Sequence, residues 1–144
     1  AQPEYAKFSG LNSNSCSWIA AIGTPTIDGS KHVLFALRYG GYFAQFTVAA
    51  TTGLLTVNNY GAYDTGEQVT AGVYAFGDNT LYKNAVPITT IAGGVYGTST
   101  NLDAIGCAYA GGSYYDGYVK ALAFYTVGLT HYQIAALTDA MNAL

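Results

Sequence analysis

At 144 residues the chain has the length of one domain with one hydrophobic core, and we predict a single domain over residues 1–144. Its composition is 51% hydrophobic, which excludes a disordered chain, and no apolar run approaches the ~18 residues that span a membrane. The net charge is −3 with only five Lys and Arg residues, which argues against nucleic acid as a partner.

The N-terminal part of the chain contains short β-rich runs that end at glycines. The run 5–8 alternates like an opening strand and stops at Gly10. The runs 32–39 and 42–49 flank Gly40-Gly41, a two-residue connection suited to a primed turn. These two runs form the clearest predicted hairpin.

The middle of the chain continues as a meander. A third strand is predicted at 54–57, and the polar stretch 58–68 is predicted to be a long loop. A strand is expected over 69–76, followed by a tight turn at 77–79 and a strand over 80–86.

Regularly spaced strands extend towards the C-terminal end. Strands are predicted at 88–91 and 102–108, and an aromatic and β-branched run predicts another at 118–127. This gives about ten to twelve short strands without a long internal repeat. Such spacing, with glycine turns, predicts an all-β fold with two packed antiparallel sheets.

The chain ends in a short amphipathic helix. Thr130 is followed three residues later by Gln133, which is a capping-box pattern, and Leu129 and Ile134 occupy the positions of a hydrophobic staple. Apolar residues then recur at helical spacing, at Ile134, Leu137, Met141 and Leu144. Because everything before it is β-rich, we expect this helix to lie against a sheet.

This ordered C-terminal pattern resembles the end of laminin-G-like domains, which belong to the concanavalin A-like lectin/glucanase jelly rolls. The matching positions are Tyr115, Gly117, Val119, Leu122, Phe124 and Tyr125 before the turn, and Leu129, Thr130, Gln133 and Ile134 after it. The resemblance implies a concanavalin A-like jelly-roll sandwich with one short C-terminal helix. That fold hosts lectins, hydrolases and virion parts alike.

The segment 75–88 resembles a hairpin of the same family. Leu81, Tyr82 and Asn84 match the family pattern, whereas Ala85 stands where the family usually has glycine. The Trp-His pair that commonly precedes this hairpin in the family is absent.

The carboxylates argue against catalysis. The glucanase branch of this fold cleaves with closely spaced carboxylates, and a retaining mechanism needs two about 5–5.5 Å apart. The glutamates are Glu4 and Glu67, and no two carboxylates stand two residues apart; Asp64 and Glu67 come nearest. His32 and His131 are expected at the surface or at a helix end. We therefore expect no enzymatic activity and no catalytic residues.

No metal site or cofactor is expected from the sequence. Asp78 and Asp103 lie near asparagines, but both fit turns better than a calcium site. Cys16 and Cys107 are the only cysteines, without a Cys-x-x-Cys motif. They are either buried free thiols or the two halves of one disulfide.

The remaining sequence features indicate a function in binding partners or glycans through the protein surface. Only 9% of the residues are charged, against a usual ~25%, and fourteen tyrosines supply amphipathic surface. The candidate glycan or partner contacts lie in two polar segments, Tyr60, Tyr63 and Asp64 in the first and Tyr114, Tyr115 and Asp116 in the second.

Compact jelly rolls with few charges resemble those on phage and other virion surfaces. The leading hypothesis is a structural or adhesive module, such as a capsid decoration or tail-appendage protein. Its expected partners are copies of itself or other virion proteins, and surface glycans. The alternative is a secreted lectin or carbohydrate-binding module. The expected location is a virion surface or outside the cell, with a signal peptide or only an initiator Met removed before Ala1.

Overall fold

The computed structural model describes residues 6–8, 17–39, 42–59, 62–91, 103–107, 112–125 and 127–144; for 6–8, 37–39, 42–44, 58–59, 62–63 and 103 it describes the backbone only. These ranges hold eleven strands and one helix: β1 (Ala6–Phe8), β2 (Ser17–Ile22), β3 (His32–Tyr39), β4 (Tyr42–Val48), β5 (Leu54–Asn59), β6 (Ala62–Gln68), β7 (Gly72–Gly77), β8 (Thr80–Lys83), β9 (Val86–Thr90), β10 (Asp103–Ile105), β11 (Val119–Tyr125) and α1 (His131–Asn142).

The strands form two antiparallel sheets. One sheet has six strands in the order β1-β10-β3-β4-β5-β6, and the other has five in the order β11-β2-β7-β8-β9. The predicted hairpin is β3 and β4, which pair from His32 with Val48 to Tyr39 with Tyr42. The two-sheet antiparallel sandwich with one C-terminal helix is confirmed.

The main core lies between the sheets and is centred on Trp18. Trp18 is 1% exposed, and its ring centroid lies 5.0 Å from that of Phe35 and 5.7 Å from that of Phe46, both edge to face. Phe35 and Phe46 come from the six-stranded sheet, whereas Trp18 lies on β2 of the other sheet. These aromatic contacts therefore hold the two sheets together.

The helix covers the outer face of the five-stranded sheet. Successive β2 residues alternate between the sheet faces, so Ile19 and Ala21 pack with Ile134 and Met141 of α1 in a second cluster. β2 is consequently buried on both faces, which explains its continuous apolar run. The predicted capping box is confirmed, with Thr130 and Gln133 each accepting a hydrogen bond from the other's backbone N–H.

The prediction of a loop over 58–68 is wrong. β5 extends to Asn59, and β6 occupies Ala62–Gln68. Among the strands that the structure describes, β6 pairs only with β5 and so lies at the edge of the sheet, where no continuous apolar pattern is needed. Polar side chains instead bond to β5, since the Thr65 hydroxyl donates to the Leu55 carbonyl at 2.8 Å.

The prediction of one strand over 80–86 is also wrong. The chain reverses between β8 and β9 at Asn84 and Ala85, whose φ angles are 50° and 64°. The predicted turn at Asp78 and Asn79 is confirmed and likewise has two positive φ angles, as type I′ turns require. The second turn was missed because alanine gives no turn signal.

The described helix is too short to cross a membrane.

Candidate functional site

A cleft of about 480 Å³ opens at one end of the sandwich, beside the start of β3. One wall is the segment 28–32 before and at the start of β3, and the other is the segment 113–116 before β11. Side chains with charge or hydrogen-bonding capacity line it, among them Asp28, Lys31, His32, Tyr114, Tyr115 and Asp116. We call it the β3 cleft.

Backbone hydrogen bonds fix the second wall. The Val33 N–H donates to the Ser113 carbonyl at 2.8 Å, and Val33 and Tyr114 form a parallel bridge. The Thr26 N–H donates to the Asp116 carbonyl at 2.9 Å. The cleft is thus built from main chain that is tied to the strands, which preorganises its shape.

His32 forms the floor of the cleft. It is 4% exposed, so the expectation that this histidine lies at the surface is wrong. It pairs with Val48 at the end of the inter-sheet core and is covered by the 113–116 wall. Its Nδ1 lies 2.7 Å from the Tyr114 carbonyl oxygen, and its Nε2 lies 3.0 Å from Asp28 Oδ1. His131, by contrast, is exposed as the first residue of α1, as predicted.

Asp28 presents a carboxylate at the rim. The Ser30 N–H donates to its Oδ1 at 2.8 Å, and the side chain is 43% exposed. The Ser30 backbone bond, followed by the hydrogen bond and charge of His32, lowers the pKa of this carboxyl. Asp28 therefore offers a positioned, ionised hydrogen-bond acceptor.

The predicted pair Tyr114 and Tyr115 has two different surroundings. Tyr114 is 38% exposed, whereas Tyr115 packs against the inter-sheet core. Burial raises the pKa of the Tyr115 phenol, and its hydroxyl finds no hydrogen-bond partner within the described ranges. Asp116 is exposed and lines the same cleft. Tyr114 is accordingly the aromatic side chain that a ligand in the cleft would meet.

The other predicted contact cluster lies elsewhere. Asp64 is exposed on β6 and accepts a hydrogen bond from the Thr56 hydroxyl at 3.1 Å. Tyr60 lies outside the described residues, and Tyr63 is described by its backbone alone, in β6. A contact role for these three residues stays a prediction.

Both alternatives for the cysteines, free thiols or one disulfide, stay predictions. Cys107 is buried just after β10, and Cys16 lies outside the described residues. Among the side chains that the structure describes, no three His, Cys, Asp or Glu residues come close enough to hold a metal ion.

The sequence prediction named Tyr114 and Tyr115, which line the β3 cleft, but not Asp28 and His32, which line it as well. The Asp-Gly-Ser sequence at 28–30 signals a turn, and this was the available clue. Nothing local connects His32 with Tyr114, which is 82 positions away.

Fold and topology together define the fold class of this protein, a two-sheet antiparallel jelly-roll sandwich. No family model matches the chain, and no curated protein sequence matches it. Solved structures do match. Domain 4 of AbnA, an extracellular GH43 arabinanase from Geobacillus stearothermophilus in complex with arabinotriose, aligns with a TM-score of 0.66 and 20% identity over 88% of this chain and 68% of that one.

Two further structures show the same fold. A putative carbohydrate binding protein from Bacteroides ovatus has a TM-score of 0.68 and 15% identity over 92% of this chain, which spans 43% of that protein's length. A SAP-like pentraxin from Limulus polyphemus has a TM-score of 0.55 and 14% identity over 93% of this chain and 75% of that one. At these identities the similarity establishes the fold.

Proposed function

We propose that the chain is a non-enzymatic carbohydrate-binding, lectin-like module and that the β3 cleft is its binding site. The observation that carries the proposal is the Asp28 carboxylate, held at the rim by the Ser30 N–H and His32. Sugar hydroxyls donate to such acceptors. Tyr114 stands in the opposite wall and offers an aromatic surface for a sugar ring.

The electrostatics of Asp28 favour binding over hydrolysis. A glycosidase needs a carboxylic acid whose pKa is raised so that it protonates the leaving group. The pKa of Asp28 is lowered instead, so this group accepts hydrogen bonds and does not supply a proton near neutral pH.

The similar structures support the same reading. One is an arabinanase domain in complex with arabinotriose, and another is a putative carbohydrate binding protein. We extend the proposal to a single domain over residues 1–144 that acts outside the cell, as a module of an extracellular protein.

The test is a glycan array followed by calorimetric titration, with arabinotriose among the probes. Tyr114→Ala is expected to weaken binding about tenfold, or about 1.4 kcal/mol, because the sugar ring loses the aromatic surface that it would cover. Tyr132→Ala is the matched control, because Tyr132 is 85% exposed on α1, away from the cleft. A blank array would refute the function, and loss of binding only in Asp64→Asn would move the site to β6.

The particle-surface hypothesis remains the second candidate. Large apolar side chains stay exposed on a chain with few charges, notably Tyr118 at 68% and Tyr132 at 85%. Such side chains fit contact with copies of itself or with virion proteins. Size-exclusion chromatography with light scattering tests self-association, and a strictly monomeric protein at high concentration would argue against it.

A further inference from the structure

The buried ring of His32 lies within hydrogen-bond distance of both walls of the β3 cleft. It is 4% exposed and lies between the Tyr114 carbonyl at 2.7 Å and Asp28 Oδ1 at 3.0 Å. The two partners belong to segments that are far apart along the chain. A change in the hydrogen bonding of this ring therefore changes how the two walls are held relative to each other.

Both partners of the ring are hydrogen-bond acceptors. A backbone carbonyl only accepts, and so does an ionised carboxylate. A neutral imidazole carries one N–H and so donates to one of them, whereas the imidazolium donates to both. A doubly protonated ring donates a hydrogen bond over both distances, whereas a neutral ring donates over only one of them.

We propose that His32 is a positioning residue whose protonated ring ties Asp28 to the Tyr114 wall, so that the β3 cleft binds its ligand more strongly at weakly acidic than at weakly alkaline pH. The proposal rests on the function proposed above, because it describes how the same cleft is held ready for sugar.

Loss of the ring proton releases one specific contact. The neutral tautomer that keeps its proton on Nδ1 retains the bond to the Tyr114 carbonyl, and its lone pair on Nε2 then faces Asp28 Oδ1. Asp28 is the partner that moves, because its side chain is 43% exposed and lies on a segment outside the sheets. The acceptor that a sugar hydroxyl would use is then no longer fixed.

Five other ionisable side chains line the cleft around the ring in the part of the chain that the structure describes. Asp28 and Lys31 lie on its own side of the cleft, and Tyr114, Tyr115 and Asp116 lie on the opposite wall. Val48, its strand neighbour, is apolar. Of these side-chain types, histidine is the one that ordinarily changes its charge between about pH 5 and 8.

One test needs no ligand. Nitrogen-detected NMR of the ring is expected to show both nitrogens of His32 protonated near pH 5. On titration to pH 8, the amide signals of residues 28–30 and 113–116 should shift together with the ring. The exposed His131 is the internal control, since its titration should leave those amides unmoved. A His32 ring that stays neutral throughout, or titrates without moving these amides, would overturn the proposal.

The second test measures binding of the best oligosaccharide from the array. Affinity is expected to fall on the order of tenfold between pH 5 and 8, the effect of losing one charge-assisted hydrogen bond. His32→Gln should make the profile flat because glutamine does not titrate, and His131→Gln should leave the slope intact. Binding that is independent of pH in the unaltered protein would refute the positioning role but keep the proposed function. A blank array would refute the function, and the NMR result would still decide the role of His32.

Discussion

Ala85 carries backbone strain that a single substitution can release. Its φ of 64° lies in the left-handed region, where a β-carbon costs roughly 1–2 kcal/mol. Glycine removes this strain but also increases the conformational entropy of the unfolded chain, which offsets part of the gain. We therefore expect Ala85→Gly to raise the free energy of unfolding by about 0.5–1 kcal/mol. Urea denaturation followed by circular dichroism measures the change.

The matched control is the same substitution in the helix. Ala136 is exposed in α1, and Ala136→Gly should lower the free energy of unfolding by about 1 kcal/mol. Opposite signs for one chemical change would show that the backbone angle is responsible. Equal losses in both variants would contradict strain at the β8–β9 turn.

Some residues of the β3 cleft are visible in the sequence, and others depend on contacts between distant segments. Tyr114 and Tyr115 were proposed because a polar segment rich in tyrosine is visible in the composition alone. The burial of His32 was missed because its cover comes from Ser113 and Tyr114, which the backbone of Val33 brings alongside β3. Contacts over that separation are set by strand pairing, which one sequence without its fold does not specify.

At the level of elements, the sequence predicts helix caps and hairpins correctly, but it does not distinguish the edge strand β6 from a loop. The capping box at Thr130 and the hairpin of β3 and β4 follow from residues close together in the chain. The polar sequence of β6 fits its place at the edge of the sheet, where it pairs with β5 alone among the described strands. A polar edge strand and a polar loop therefore look alike in composition.

Gly77, at the end of β7, lies close against the segment 127–130 and the first turns of α1. A β-carbon built there would lie 2.5 Å from the Leu129 carbonyl oxygen and 2.9 Å from Ile134 Cδ1. The linker between β11 and α1 is held in place here, because the Leu129 N–H donates to the buried Ser17 hydroxyl at 2.8 Å. We expect Gly77→Ala to lower the free energy of unfolding by roughly 1–3 kcal/mol, as overpacking does.

Gly128 provides the comparison for this prediction. It lies in the same linker, and a β-carbon there would meet no atom within 4 Å. Thermal unfolding of Gly128→Ala should therefore stay close to that of the unaltered protein, whereas Gly77→Ala should unfold at a clearly lower temperature. Similar melting temperatures for the two variants would mean that helix and sheet separate easily at this point.

Across the whole molecule, strands of the five-stranded sheet connect the two hydrophobic clusters. β2 and β7 each send alternate side chains into the inter-sheet core and into the cluster beneath α1. At the rim, the Lys83 ammonium of β8 donates to the Glu67 carboxylate of β6 at 2.6 Å and joins the two sheets. Because the clusters share a backbone, neither sheet can lose its packing without disturbing the other.

This connection predicts a single cooperative unfolding transition. Trp18 is the only tryptophan, is 1% exposed and reports on the inter-sheet core, whereas far-UV circular dichroism reports on α1 and the strands. In urea, both signals should change with the same midpoint and slope. If α1 were only loosely attached, the dichroism signal would begin to change at lower urea than the fluorescence of Trp18. A ligand bound in the β3 cleft should raise the shared midpoint as its concentration exceeds the dissociation constant, so the same experiment links the stability of the sandwich to occupancy of its proposed site.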